Sequence, residues 1–165
     1  AQHFSGRAGL HSNNTLWASW VIQSDNHSVY FSGDSGYGDH FKAIGEKLGP
    51  FDLAFIENGQ YNPQWRSIHM LPEDGIQAFK DLGAEKYFPI HWGMFTLSLH
   101  TWDDPIKQIS QLAANNDVTL VTPRIGEAID IEDYHPQSPW WHSPSSKKLL
   151  ARSEIKPRGE PEPAQ

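Results

Sequence analysis

The sequence predicts an α/β fold, a β-sheet with helices on one face. Two observations carry this. Strand-length apolar stretches alternate with segments whose apolar residues recur at three and four positions, in the order β-β-α-β-α-β-α-β-β. The stretch Phe51–Ile56 is nearly continuous in apolar character, which suits a central strand covered on both faces. The helices account for one face, so the second face needs another covering layer.

The elements follow in chain order. Leu16–Ile22 carries aromatic and β-branched residues and reads as a strand. Ser24–Ser28 is a turn, and Val29–Phe31 closes a hairpin. Phe41, Ile44 and Leu48 mark an amphipathic helix from about Asp39, stopped by Gly49-Pro50. After the Phe51–Ile56 strand, Glu57–Arg66 reads as a loop of mixed polar and aromatic residues. Pro72-Glu73-Asp74 opens a second helix, with proline in the first turn and acids at the positive end of the dipole. Ile76, Phe79 and Leu82 give that helix one apolar face, and Gly83 ends it. Lys86–His91 reads as a short buried strand with His91 at its end. Pro89 within it suggests a bulge or a strand end, because proline cannot donate to a ladder. Pro105 starts a third helix with Ile106, Ile109 and Leu112. Val118–Val121 and Glu127–Ile131 read as the final strands. From His135 the composition shifts to Pro, Ser and charge, so the chain divides into a domain at 1–134 and an extension at 135–165. Within that extension Trp140-Trp141 is expected to dock on the body, and Ser153–Gln165 reads as a tail.

Bulk composition narrows the function. With 165 residues, 38% hydrophobic and 12% aromatic, the chain can build a core. The net charge of −7 without a basic block argues against a nucleic-acid partner. There are no cysteines, so any metal is held by His and carboxylate, which suits zinc, iron or manganese. No apolar run approaches the ~20 residues of a membrane span. A cytoplasmic or membrane-peripheral location is the expectation.

Of nine histidines, His11, His27, His40, His100, His135 and His142 lie in polar surroundings and read as solvated. His3, Asp34 and His91 differ. Each sits at a strand end beside a glycine-containing turn. Singly, each has a plainer reading: a buried structural histidine, or an Asx-turn aspartate. Together they are the imidazole and carboxylate ligands a catalytic zinc uses, placed where ligands converge on one edge of an α/β sheet.

The motifs Gln2-His-Phe-Ser-Gly-Arg7, Thr15-Leu-Trp-Ala-Ser-Trp20, Ser32-Gly-Asp-Ser-Gly-Tyr37, Gly49-Pro-Phe-Asp-Leu-Ala54, His69-Met-Leu-Pro-Glu-Asp74 and Ile90-His-Trp-Gly-Met-Phe95 occur in order. With them the chain, over about Ala1 to Ile131, resembles the C-terminal half of the metallo-β-lactamase superfamily. Within it, the chain looks most like the branch of the N-acyl-phosphatidylethanolamine-hydrolysing phospholipase D and its bacterial relatives. The resemblance implies that His3 completes a first metal site, Asp34 bridges two metals and His91 belongs to the second. It places His69 near the metals and in contact with substrate, the alternative being a helix-entry residue packed on the Trp65 loop. Tyr61, Trp65 and Trp92 either wall the pocket or simply pack. The implied activity is water activation by a dinuclear site, with zinc first and iron or manganese next. The implied substrate is a small-molecule or lipid phosphodiester, with a lactone or other ester as the alternative.

The sequence departs from the family in one respect. No two histidines stand two apart, so the family's His-x-His-x-Asp-His motif is absent. The family fold is an αββα sandwich, and this chain corresponds to one sheet-and-helix half. The missing half, or self-association through the uncovered sheet face, is the expected partner. A half-domain that acts only by such pairing is the non-catalytic alternative.

Overall fold

The computed structural model describes residues 1–6, 13–95 and 97–142; His11 and the Ser153–Gln165 stretch lie outside them. Strands β1 (Trp20–Gln23) and β2 (Ser28–Phe31) form an antiparallel hairpin. Its turn is closed by Ser24, whose Oγ accepts from the His27 N–H at 3.1 Å. Helix α1 (His40–Leu48), β3 (Phe51–Glu57), α2 (Pro72–Leu82), β4 (Ala84–Ile90), α3 (Asp104–Asn115) and β5 (Thr119–Leu120) follow. The five strands lie in chain order, and every pair after the first hairpin is parallel. Each parallel pair is joined through a helix, and right-handed crossovers between successive neighbours leave all the helices on one face.

The pleat divides the sheet cleanly. Tyr30, Ala54 and Tyr87 share a register row and are fully buried. They pack with Phe41 from α1, Ile76, Phe79 and Leu82 from α2, and Ile106 and Ile109 from α3. One residue further along, Trp20, Phe31, Phe55 and Phe88 pair across four strands on the opposite face. The Phe55 and Phe88 rings are 4.6 Å apart. Among the described residues no layer covers this row, and Trp20 is 65% and Phe31 39% exposed.

Two expectations need correction, and of the two readings of Pro89 the strand end holds, since β4 stops at Ile90. The first strand begins at Trp20 rather than Leu16, because Trp20 pairs with Phe31 and β2 ends there. Trp17 instead stacks on His3, with ring centroids 4.3 Å apart. Glu127–Ile131 is not a strand. Acidic side chains capture the local N–H groups: Glu127 Oε2 accepts from Arg124, and Asp130 Oδ1 from Glu132 and Asp133. Pro89 makes no bulge, since the β3–β4 register runs unbroken from Leu53↔Lys86 to Glu57↔Ile90. β5 pairs only with Lys86 and Tyr87, so no ladder bond is needed at Pro89 on that side. Its carbonyl accepts from Trp92 Nε1 at 2.9 Å. As expected, Trp141 docks, with its side chain buried against Trp92 and Trp140. No helix among the described residues is long and apolar enough to cross a membrane.

Helices α1 and α2 touch at Gly45. A Cβ there would lie 2.0 Å from the Asp81 carbonyl oxygen and 2.9 Å from Leu82 Cα. Both are backbone atoms, so only separation of the helices relieves the overlap. Gly45→Ala is expected to destabilise the fold by about 1–3 kcal/mol, measured as a lower denaturant midpoint at unchanged slope. A shift of a few tenths would mean the helices part without cost.

Candidate metal centre

The carboxyl ends of β2, β3 and β4 lie along one edge of the sheet, and each delivers one charged or imidazole side chain there. Asp34 follows β2, Glu57 ends β3 and His91 follows β4. Parallel pairing makes this convergence automatic, which is why open α/β sheets carry their sites at this edge.

Hydrogen bonds fix the loops to one another. Ser32, fully buried, donates through Oγ to the Gly33 carbonyl at 2.6 Å and accepts from the Glu57 N–H at 2.9 Å. That hydroxyl ties the Asp34 loop to the end of β3. Gln2 bridges to Gly36, its N–H donating to Ser35 Oγ at 2.8 Å and its Nε2 to the Ser67 carbonyl at 2.8 Å. The segment carrying His3 is thereby held against both the Asp34 loop and the loop before α2. In that loop His69 N–H donates to the Trp65 carbonyl. Asp74 accepts from Arg66 through both carboxylate oxygens, at 2.7 and 2.9 Å, and reaches back to the Leu71 N–H at 3.2 Å. Leu71, at the cap of α2, has no side-chain acceptor of its own, so Asp74 supplies the capping bond.

The side chains meet. His91 Nε2 lies 3.4 Å from Asp34 Oδ1. The His91 and His69 rings stack at 5.4 Å with 12° between planes, and His3 meets the His69 ring edge-on at 5.3 Å. The sequence-derived residues His3, Asp34, His69 and His91 therefore share one site. The sequence reading missed Glu57, which it placed at the start of a loop. This side chain is fully buried. Its Oε1 accepts from His69 Nδ1 at 2.9 Å and lies 3.6 Å from His91 Nδ1, while Oε2 accepts from the Met70 N–H at 3.1 Å. Glu57, His69 and His91 each place a potential ligand atom within 4.8 Å of the others. The available signal was a lone acid closing a nearly continuous apolar strand, where burial demands partners.

The aromatic residues divide. Trp92 packs against Trp140 and Trp141 and also lines a cleft of about 620 Å³ beside His91. Phe95, Ile125 and Trp140 help to form that cleft, which is mostly apolar. Tyr61 stacks on His100 and donates to Asp104, which fixes the loop after β3. His40 is not merely solvated, since its Nε2 lies 3.4 Å from Ser35 Oγ and burial lowers its pKa.

Electrostatics favour a cationic occupant. Burial alone would lower the His91 pKa, but Glu57 and Asp34 more than offset it, and the net direction is upward. The site thus attracts positive charge, and neutral imidazoles facing carboxylates are borderline ligands suited to a divalent metal. Asp34 Oδ1 and His91 Nε2 face the same space at 3.4 Å, so the residues present fit a metal ion. Acid works against binding, because a protonated His91 offers no lone pair.

Comparison with known proteins places the chain in a class. Residues 1–92 match the beta-lactamase superfamily domain. The chain belongs to this superfamily, that of the metallo-β-lactamase fold and its metal-dependent hydrolases. Within it, the chain resembles the N-acyl-phosphatidylethanolamine-hydrolysing phospholipase D branch. It is 37% identical over 142 residues to the N-acyl-phosphatidylethanolamine-hydrolyzing phospholipase D 1 of Caenorhabditis elegans, covering 81% of this chain and 40% of that one. It is 42% identical over 144 residues to an uncharacterized protein of Mycobacterium tuberculosis, covering 86% of this chain and 38% of that one. The chain thus spans about two fifths of these relatives. Igni18, a metallo hydrolase of Ignicoccus hospitalis, shares the fold at a TM-score of 0.51 and 24% identity, over 65% of this chain and 42% of that one.

Proposed function

We propose that the full-length protein is a phosphodiesterase with a dinuclear metal site, and that this chain supplies one part of that site. The observation that carries the reading is the meeting of His3, Asp34, His69 and His91 at one sheet edge. Similarity to a protein named as a phospholipase D supports the phosphodiester. Asp34 would be the carboxylate common to the two ions, and His3 and His91 would each help to hold one of them. Zinc suits these donors best, with iron or manganese as the alternatives. Bound there, the ions supply Lewis acidity and a water nucleophile at neutral pH.

The chain's own residues do the rest. His69 is tethered through Nδ1 and has Nε2 left for a substrate oxygen. The apolar cleft beside His91 accommodates a hydrophobic substituent, which favours a lipid-like diester over a small polar one. A catalytic zinc takes at least three protein ligands, so two ions need donors beyond His3, Asp34 and His91. These come from the rest of the full-length protein, which packs on the exposed Trp20–Phe31–Phe55–Phe88 row.

The test is to strip the full-length protein of metal, reconstitute it anaerobically with zinc, iron or manganese, and assay turnover. About two ions per chain and hydrolysis of bis-p-nitrophenyl phosphate are expected. The 165-residue chain alone is expected to hold less metal and show no turnover. A full-length protein that retains no metal overturns the reading. Retained metal with turnover of p-nitrophenyl esters or lactones but not of diesters would move the substrate to carboxylic esters.

A further inference from the structure

Glu57 is a fully buried carboxylate at the one edge of the sheet where imidazoles gather. An unpaired charge there would be strongly disfavoured, so its partners reveal its role. Two lie at hydrogen-bond distance, His69 Nδ1 and the Met70 N–H, and His91 Nδ1 stands 3.6 Å away without a hydrogen bond. Both imidazoles turn the same nitrogen, Nδ1, toward the same oxygen, Oε1. The opposite nitrogen of His91 faces Asp34.

We propose that Glu57 is a positioning residue for two imidazoles: it holds His69 by a hydrogen bond as the Nδ1–H tautomer with its Nε2 lone pair toward the site, and its Oε1, 3.6 Å from His91 Nδ1, orients the His91 ring so that Nε2 faces the Asp34 side. The proposal rests on the metal-dependent reading for its purpose, though the tautomer itself does not. An ionised carboxylate only accepts hydrogen bonds, so His69 Nδ1, bonded to Glu57 Oε1 at 2.9 Å, carries the proton. A neutral imidazole has one proton, which leaves Nε2 as the lone pair available to a metal or substrate. Carboxylates that hold a ligating histidine in this way fix its ring and raise its basicity. Glu57 serves two rings because they stack nearly parallel against it.

A direct ligand role is the competing assignment, since the three side chains cluster within 4.8 Å. The existing bonds oppose it. Oε2 is held by a backbone N–H and Oε1 by His69, so the carboxylate is already oriented by the protein, and an ion that took His69 as a ligand through Nδ1 would replace the Glu57–His69 bond.

Glu57→Gln separates these possibilities with little change in shape. The amide has one accepting oxygen. If it faces the Met70 N–H, the NH₂ group faces the imidazoles and donates to His69 Nδ1. That ring is then forced into the Nε2–H tautomer and loses its lone pair toward the site. If the amide is reversed, NH₂ opposes the Met70 N–H.

The experiment uses full-length protein and two readouts. Nitrogen-15 NMR of the metal-free protein at pH 8 is expected to show His69 as the Nδ1–H tautomer. In the Glu57→Gln variant His69 is expected to switch. Cobalt(II) titration against a chelator is expected to show affinity lowered about ten- to hundredfold at unchanged stoichiometry, with altered visible absorption. An Nε2–H tautomer of His69 in the parent protein would overturn the proposal, as would unchanged cobalt affinity and spectrum in the variant. Loss of one whole cobalt ion at saturation would make Glu57 a ligand and overturn it too. A parent protein that binds no cobalt sinks the metal reading, while the tautomer measurement still decides the role of Glu57. If Glu57→Gln fails to fold, His69→Gln, which removes the imidazole and leaves Glu57 in place, takes over the titration. An unchanged cobalt affinity and spectrum at His91 is then the supporting result, because Glu57 still holds that ring. A lost cobalt site would overturn the proposal, by making His69 itself indispensable.

Discussion

Replacing Asp34 with Ala in the full-length protein is expected to lower diester turnover about a thousandfold, ~4 kcal/mol of barrier, and to release metal. The size follows from position. Asp34 stands in the tight turn after β2, its carboxylate 30% exposed and 3.4 Å from His91 Nε2. A carboxylate shared by two ions takes part in both coordination shells, so its loss unbalances both. The backbone should tolerate the change, because the loop is held by Ser32, Ser35 and Gln2 rather than by the Asp34 side chain. His69→Ala is expected to cost less, about ten- to a hundredfold, because in this reading His69 binds substrate and no metal. The comparison requires metal content and turnover for both variants. Equal and mild losses would remove Asp34 from the bridging position.

The places of Asp34 and His91 at strand ends were legible in the sequence, and the reason is local. Asp34 and His91 follow strands whose apolar runs are unmistakable, and glycines break the chain beside each. The helices were legible for a similar reason, since each combines a 3.6-residue apolar period with a Pro or Gly boundary. Glu57 was hidden because its importance depends on two residues distant in sequence, His69 and His91. Nothing in the local string Ile56-Glu57-Asn58 states that the carboxylate turns inward. The false strand at Glu127–Ile131 failed for the opposite reason. Its apolar residues Ala128, Ile129 and Ile131 suit a strand, but a strand needs a neighbour, and β5 is only two residues long. There the acidic side chains satisfied the backbone in place of a ladder.

The way His91 is held leads to the second large effect. His91 has φ +64°, in the left-handed region that non-glycine residues seldom occupy. Such a conformation costs about 1–3 kcal/mol and persists only where its surroundings impose it. The surroundings here are the loop after β3. Asn58 N–H donates to the Ile90 carbonyl at 2.9 Å, which continues the ladder to the brink of His91. Gly59 then passes so close that a Cβ on it would lie 2.0 Å from the His91 carbonyl oxygen and 2.9 Å from its carbon. Further on, Gln60 Nε2 donates to the Phe95 carbonyl at 2.6 Å, and its Oε1 accepts from Leu97 and Ser98. The two loops are thus locked together on both sides of the contact, and neither can retreat alone. Gly59→Ala must therefore push the His91 backbone by about 1.4 Å, from 2.0 Å, to reach an ordinary contact distance. A displacement of that size at a site can cost about a hundredfold in rate, and overpacking adds about 1–3 kcal/mol of destabilisation. The expected result is a lower melting temperature together with weaker metal retention and turnover. Gly126→Ala is the contrasting control: Gly126 has a positive φ, +85°, yet a Cβ there meets nothing within 4 Å, whereas Gly59 is outside the positive-φ region and is constrained by the close approach alone. If Gly59→Ala loses no more stability than Gly126→Ala and keeps full metal, the close approach to His91 has no part in shaping the site.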